Sequence, residues 1–517
     1  CPNCVRAFRS WLRRRFNGDI AALNAAWGTV FWSHEYDDFD QIWPPMDTAD
    51  RTANDGANPG LVLDFYRFSS DVQIEFQREQ IEIIRRNSPG RPITHNLMGL
   101  FSHIDYFKLA ADLDIVSWDN YPFAANGTER PPQPLPHDLM RGLKQKNVWV
   151  MEQGSGPGGW GTYPATPQPG QMRLWAYQAV ARGADMISFF RWRSCRWGRE
   201  QYWHGILYHH GIPQRRYDEA KQIGAEFKAL SAELDGSEVA AEVGILYDYD
   251  SLWALETQPN TGDGFDYRAM AAGWDAALAR LGVVADAVSI DADLARYKVL
   301  IAPSVHVCPP ATAERLAAYV RNGGTLILGP RSGVKEEEGA IVDTLLPGLL
   351  REMAGCYVEE YDAFSQMPGL EMRVRCPANH LYRAHGLADV LVPEGDAVVT
   401  HTYADHYYAG KPAVVRHDYG RGRCFYVGTI MEADGLLGFL RYGVLPGAGV
   451  PTVADLPPSV EVSYRRKGNQ RYTFYLNHSR AAVTMKLIRS GWELLTQTEV
   501  AGEVTIGGFG VLIVKES

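Results

Sequence analysis

Short apolar runs alternate with helical patterns through roughly the first 234 residues. Residues 5–16 (VRAFRSWLRRRF) place Phe8, Trp11, Leu12 and Phe16 on one face of an amphipathic helix. Asn24 to Pro45 is aromatic and irregular, and Leu61 to Arg86 is a long helical pattern. Its apolar positions Leu61, Phe65, Phe68, Val72, Phe76 and Ile83 recur at helical spacing, and Ser88-Pro89-Gly90 stops it. Strands are predicted over Pro92–Met98, Asp114–Asn120, Val148–Met151 and Asp185–Trp192. Helices are predicted over Ile104–Ala111, near Leu135–Lys144 and over Gln171–Gly183. Each strand is apolar and ends in polar or aromatic residues, the βα rhythm of a parallel sheet. Chemistry-bearing groups at every carboxyl end favour a (β/α)8 barrel over a doubly wound sheet. Four strands cannot close a barrel, so the expectation is the carboxy-terminal half of a TIM barrel, with the other half outside this chain.

The pattern changes between Glu226 and Val243. Strands at Val243–Tyr247, Val299–Pro303 and Gly324–Gly329 interleave with helices at Tyr267–Leu281 and Ala311–Asn322, a flavodoxin-like order. Asn322-Gly323-Gly324 is a helix stop. From about Pro451 the chain is short strands and turns, the pattern of a small antiparallel β domain. The expected domains are therefore 1–234, 235–450 and 451–517.

Composition narrows the function classes. A net charge of -10 and a pI near 5.8 argue against nucleic acid and against anionic membrane surfaces as partners. No apolar stretch is long enough to cross a bilayer. Seven scattered cysteines suit a reduced, cytoplasmic protein. Cys1-x-x-Cys4 has metal-ligand spacing but supplies half of a tetrahedral site. Cys308 lies between Val307 and Pro309, not between the glycines a nucleophile elbow needs, so amidotransferase chemistry there is a distant reading. Fourteen tryptophans and twenty-six tyrosines exceed what a core requires. Many follow predicted strands, among them Trp118, Tyr121, Trp160, Trp192, Trp197 and Trp203, which suits stacking on sugar rings.

The stretch VWVMEQGSGPGGW, residues 148–160, concentrates these features. Glu152 stands where a buried parallel strand ends, the position of catalytic groups in barrels and also of structural caps. Five glycine or proline residues, from Gly154 to Gly159, then let backbone approach a ligand. Trp160 offers a flat face to a sugar.

WGTVFWSHEYDDFDQIWPP, SWDNYP, VMEQGSGPGGW and FRWRSCRWGREQYWHGIL resemble the β-galactosidases of glycoside hydrolase family 42. The resemblance implies a (β/α)8 barrel, a middle α/β trimerisation domain with a glutamine-amidotransferase-like fold, and a small β domain. It implies a retaining, two-glutamate mechanism on terminal β-D-galactosides and a homotrimer. Glu152 matches the family nucleophile. Trp160 matches a tryptophan bordering the galactose site, and Glu200 and His204 match residues that bind sugar hydroxyls. Family members differ by one residue in that last spacing. Asn96, Trp118, Asp119 and Tyr121 lie at the right strand ends for supporting or packing roles. Cys1 and Cys4 match the last two ligands of a four-cysteine zinc cluster found in some members. The acid/base glutamate, expected in an Asn-Glu pair on the fourth strand, has no counterpart in the barrel half here, so residues 1–517 alone are expected to be inactive. An α-L-arabinopyranosidase of the same family and a non-catalytic sugar-binding or assembly module are the alternatives.

Overall fold

The computed structural model describes residues 1–45, 57–122, 133–158, 165–259, 265–367, 369–453 and 456–517. Strands β1 (Asn96–Leu97), β2 (Ser117–Asn120), β3 (Val148–Gly154) and β4 (Ala184–Phe190) form a four-stranded, all-parallel sheet in chain order. This is the carboxy-terminal half of a (β/α)8 barrel. Helices α1 (Pro2–Arg15), α2 (Ile20–Trp27) and α3 (Pro59–Asn87) precede it. Helices α4 (Tyr106–Ala110), α5 (Leu135–Gly142), α6 (Gln171–Ala181) and α7 (Arg215–Leu234) alternate with or follow its strands.

Two local expectations differ from the structure. The strand predicted at Pro92–Met98 shrinks to the two residues of β1. On α3, Phe76 and Ile83 are exposed, while Phe68, Ile74 and Ile81 are buried. The helix uses a neighbouring stripe, to which Gln77 also belongs through a bond from its amide to the Leu109 carbonyl at 2.8 Å.

The middle region is one eleven-stranded mixed sheet. Its parallel part contains β5 (Val243–Leu246), β6 (Ala285–Val288), β7 (Val299–Ala302) and β8 (Thr325–Leu328), in the spatial order β8-β7-β5-β6. Helices α8 (Tyr249–Thr257), α9 (Tyr267–Arg280) and α10 (Pro310–Arg321) connect these strands, a flavodoxin-like winding. All four strands are buried along their whole length, as sheets covered on both faces are. Seven further strands between Cys356 and Met431 extend the sheet beyond β8. Cys308 is buried, and its thiol is pushed up to about 12 by burial, which leaves it unreactive. The last region is antiparallel, and a hairpin of Val460–Lys467 and Gln470–Asn477 leads it.

The three regions are locked together by packing and by buried charge. One apolar cluster runs from Trp118, Leu139 and Val150 of the barrel half to Trp253, Trp274 and Ala287 of the middle region. Helix α5 lies so close to β6 that a Cβ on Gly142 would stand 1.8 Å from the Ala287 carbonyl oxygen. Arg141 reaches from α5 to Asp286 at 2.7 Å. Arg182, at the end of α6, bonds Asp138 at 2.8 Å and Glu461 of the last region at 2.7 Å. Both arginines are buried, and each pairs with a carboxylate across a domain boundary as well as with Asp138 of the barrel half.

Candidate active site

Strand β3 continues through Glu152 to Gly154, three residues beyond the predicted apolar run. Glu152 is therefore part of the strand, paired with Asp119 of β2, and lies at a register irregularity on the β4 side instead of projecting from a loop. Its neighbours come from the adjacent strands. The Asn96 side-chain amide, on β1, donates to one carboxylate oxygen at 3.2 Å. The Tyr121 hydroxyl, just after β2, donates to the other at 2.5 Å. Burial and the bond to Glu152 push the Tyr121 phenol well above its ordinary value, so it stays a donor at any working pH. Asp119, on β2, stands in register with Glu152. Burial, and secondly the charge of Glu152, push the Asp119 carboxyl up to about 7.

The glycine loop after β3 is built against the residues that follow β4. His204 is buried and neutral, since burial lowers its pKa to about 4. Its Nε2 accepts the Ser155 N–H at 2.8 Å, and its Nδ1 faces the Pro157 carbonyl at 2.6 Å. A Cβ on Gly156 would meet the His204 Cβ at 2.8 Å and the Arg216 guanidinium at 2.3 Å, which is why glycine occupies that position. Tyr121 packs edge-on against Trp203, with ring centres 5.4 Å apart.

Among the residues predicted from sequence, Glu152 sits at the centre, and Asn96 and Tyr121 bond it directly. Trp118 is buried against His137 as a packing residue. His204 turns both ring nitrogens to backbone in this structure and orders the glycine loop. Glu200 forms an ion pair with Arg191, immediately after β4, and remains partly exposed. Trp160 lies outside the described residues. Trp192, Trp197 and Tyr202 are exposed around the same carboxyl end. Arg191 and Arg216 went unremarked in the sequence, where neither an arginine between Phe190 and Trp192 nor one of the Arg215-Arg216 pair carries a distinguishing signal. Cys1 and Cys4 are exposed, with sulfurs 3.3 Å apart. A tetrahedral zinc with bonds of about 2.3 Å separates its sulfurs by about 3.8 Å, so the pair stands closer than one edge of such a site requires. Among the described residues no group of three or more His, Cys, Asp or Glu is placed to hold a metal.

A carboxylate fixed by two neutral donors, on a rigid strand end and among exposed aromatic rings, suits attack on a sugar's anomeric carbon. The class so defined is the carbohydrate-cleaving hydrolases of the (β/α)8 barrel type. Family models narrow it further. The model described as beta-galactosidase matches residues 1–230, the beta-galactosidase trimerisation domain matches 241–444, and the beta-galactosidase C-terminal domain matches 459–516. Beta-galactosidase BgaP of Planococcus sp. (strain L4) is 36% identical over 523 residues, covering 100% of this chain and 77% of that protein. Beta-galactosidase BgaH of Haloferax lucentense is 37% identical over 537 residues, covering 100% of this chain and 76% of its own length. The crystal structure of the beta-galactosidase from Bacillus circulans sp. alkalophilus superposes with a TM-score of 0.94 at 34% identity, covering 100% of this chain and 77% of that one. The chain belongs to the glycoside hydrolase family 42 β-galactosidases, retaining enzymes, as its strand-end motifs implied. No helix among the described residues is long and apolar enough to cross a membrane.

Proposed function

We propose that Glu152 is the nucleophile of a double displacement on terminal β-D-galactosides. The observation that carries this reading is the pair of donors, Asn96 and Tyr121, that aim both oxygens of a strand-end carboxylate. One oxygen of Glu152 attacks the anomeric carbon while the bond to the leaving oxygen breaks. The bonding electron pair departs with that oxygen, which takes a proton from the acid/base glutamate. Water, deprotonated by the same glutamate, then cleaves the glycosyl ester and returns Glu152 as a carboxylate. Neither Asn96 nor Tyr121 changes charge in the cycle; they hold the attacking oxygen in line.

On this reading the acid/base glutamate lies upstream of Cys1, and residues 1–517 alone do not turn over unactivated galactosides. Glu200, with Arg191, borders the galactose, His204 acts by fixing the glycine loop after β3, and Trp160 keeps the galactose-bordering role that the family resemblance implies. α-L-Arabinopyranosides share the ring configuration and enter the same site. The protein is a cytoplasmic homotrimer assembled through the middle region, a reading supported by the trimerisation-domain match. Cys1 and Cys4 would hold one edge of a structural zinc that stabilises the start of α1 and takes no part in the reaction.

The test is a 2-deoxy-2-fluoro-galactoside inactivator, applied to the protein extended upstream through the rest of the barrel. Mass spectrometry should find the sugar on the peptide containing Glu152. A label on Glu200 or Asp119 would refute the assignment.

A further inference from the structure

The middle region carries a basic cleft, built on a different sheet from Glu152. Its volume is about 790 Å³, within the range of about 300–1,000 Å³ common for small-molecule sites. It opens at the amino ends of β7 and β8, where Lys298 and Thr325 line it. Helix α10 and the turn of the hairpin formed by Pro412–Tyr419 and Gly422–Val427 supply further walls. That turn sits on the end of α10. The Arg421 N–H donates to the Arg321 carbonyl at 3.1 Å, and a Cβ on Gly422 would stand 2.2 Å from the Val320 carbonyl oxygen. Four cations line the cleft, Lys298, Arg315, Arg421 and Arg423, with one carboxylate, Asp418. Arg423 pairs with Asp418 at 2.9 Å, and Lys298 with Glu242 at 2.5 Å. Arg315 and Arg421 have no carboxylate partner among the described residues. Arg315 donates to the Ile290 and Ala292 carbonyls at 2.9 and 3.2 Å, and Arg421 to the Asn322 carbonyl at 3.3 Å. These bonds steady both guanidinium groups and leave donors unused on each, since a guanidinium carries five. Capping of the α10 carboxyl end accounts for the Asn322 bond alone. Two unmatched positive charges remain around one cleft.

We propose that this cleft binds a small organic phosphate, whose phosphate group is held by Arg315 and Arg421 and whose body rests against Leu294, Ala295 and Ala318. Guanidinium groups suit the oxygens of a phosphate dianion, to which they donate in parallel pairs. The cleft is far larger than a bare phosphate needs, which points to an ester with a body of its own. Its apolar wall gives that body a surface to lie on. The chain as a whole carries a net charge of -10, so the unmatched arginines are a local feature, suited to a small anion and not to nucleic acid. A ligand there would tie α10 to the hairpin turn and should stabilise the middle region.

The test is isothermal titration calorimetry with thermal melting, on the protein with the upstream barrel residues present. Ionic strength is fixed at about 0.15 M, because exposed charges are screened by salt. The probes are glucose 6-phosphate, adenosine monophosphate and inorganic phosphate, with glucose and adenosine as uncharged controls. At least one ester should bind, one molecule per chain, and raise the melting temperature, while the uncharged controls should do neither. Arg421→Gln and Arg315→Gln should each weaken that binding about tenfold or more. Galactoside turnover should be unchanged in both, since neither arginine belongs to the barrel half. Arg421→Lys should recover part of the loss, because the charge returns without the paired donors. Absence of ester binding in the wild type would overturn the proposal, as would binding that neither variant alters. Inorganic phosphate bound as tightly as the esters would also overturn it, because the body of the ligand would then contribute nothing. Should Arg315→Gln not fold, Arg421→Gln decides alone, since its side chain is exposed at a turn.

Discussion

Replacing Glu461 with alanine should cost far more than a distant surface change, because its carboxylate is the shared acceptor of a buried junction. Glu461 is fully buried on the hairpin strand 460–467. It accepts from Arg182 Nε at 2.7 Å and from Gln178 Nε2 at 2.8 Å, and His478 Nε2 lies 2.8 Å away. Truncation leaves Arg182 with Asp138 as its remaining carboxylate partner, at 2.8 Å. Removing one member of a buried ion pair costs about 3–5 kcal/mol, since the stranded charge cannot reach water. Removing both charges is far cheaper, so Glu461→Ala combined with Arg182→Met should lose less than the sum of the two single changes, by about 2 kcal/mol or more. Urea denaturation followed by circular dichroism and by tryptophan fluorescence measures both quantities. A single-mutant loss under about 1 kcal/mol, or strict additivity, would refute the reasoning. Acid provides an independent check. Burial alone would raise the Glu461 carboxyl, but Arg182 and His478 outweigh burial and hold it well below the usual carboxylate range. A depressed folded value contributes stability that is present above the unfolded value, about 4.3, and is lost as pH falls below it. The wild type should therefore lose stability more steeply than Glu461→Gln below about pH 4.

Three further outcomes follow from the site and the packing. Tyr121→Phe removes a bond to a charged oxygen, worth about 1.5–3 kcal/mol, and should lower kcat/KM by about 10- to 100-fold while the far-UV spectrum is unchanged; a loss under twofold would remove Tyr121 from the mechanism. His204 has a folded value near 4, below its unfolded value of about 6.5, so the unfolded chain takes up the proton first and stability should fall as pH drops through that interval. A His204→Gln variant should show a flatter stability profile there, and an unchanged slope would count against the buried neutral ring. Gly142→Ala, whose Cβ would collide with the Ala287 carbonyl, should destabilise by about 1–3 kcal/mol, read as a lower urea midpoint.

The architecture was legible wherever residue period and element length agreed. Val148–Met151 and Val299–Pro303 read as strands because an unbroken apolar run is what a sheet covered on both faces requires. Glu152 was legible because a lone carboxylate follows such a run directly. What was obscure depended on contacts between distant elements. Helix α8, with its mixed YDSLWALET sequence, helps bridge the barrel half and the middle region, and its pattern shows no single face. Strand β6 was not predicted, since alanine and aspartate are poor strand formers; burial under α5 and the Arg141 bond hold it in place. Asn96 and Tyr121 were seen at strand ends, but that they bond Glu152 depends on the stagger of three strands, which no local pattern encodes.

The placement of the arginines bears on how the chain is made. Arg141 and Arg182 belong to early helices, yet their partners Asp286 and Glu461 lie 145 and 279 residues further along. At about 5–20 residues per second, a ribosome needs on the order of tens of seconds between making Arg182 and making Glu461. Through that interval Arg182 has Asp138 of the barrel half as its carboxylate partner, and the second partner is still to be made. The last carboxylate of the junction is thus among the last parts of the chain to be made, and the barrel half reaches its final charge balance only when the carboxy-terminal region docks.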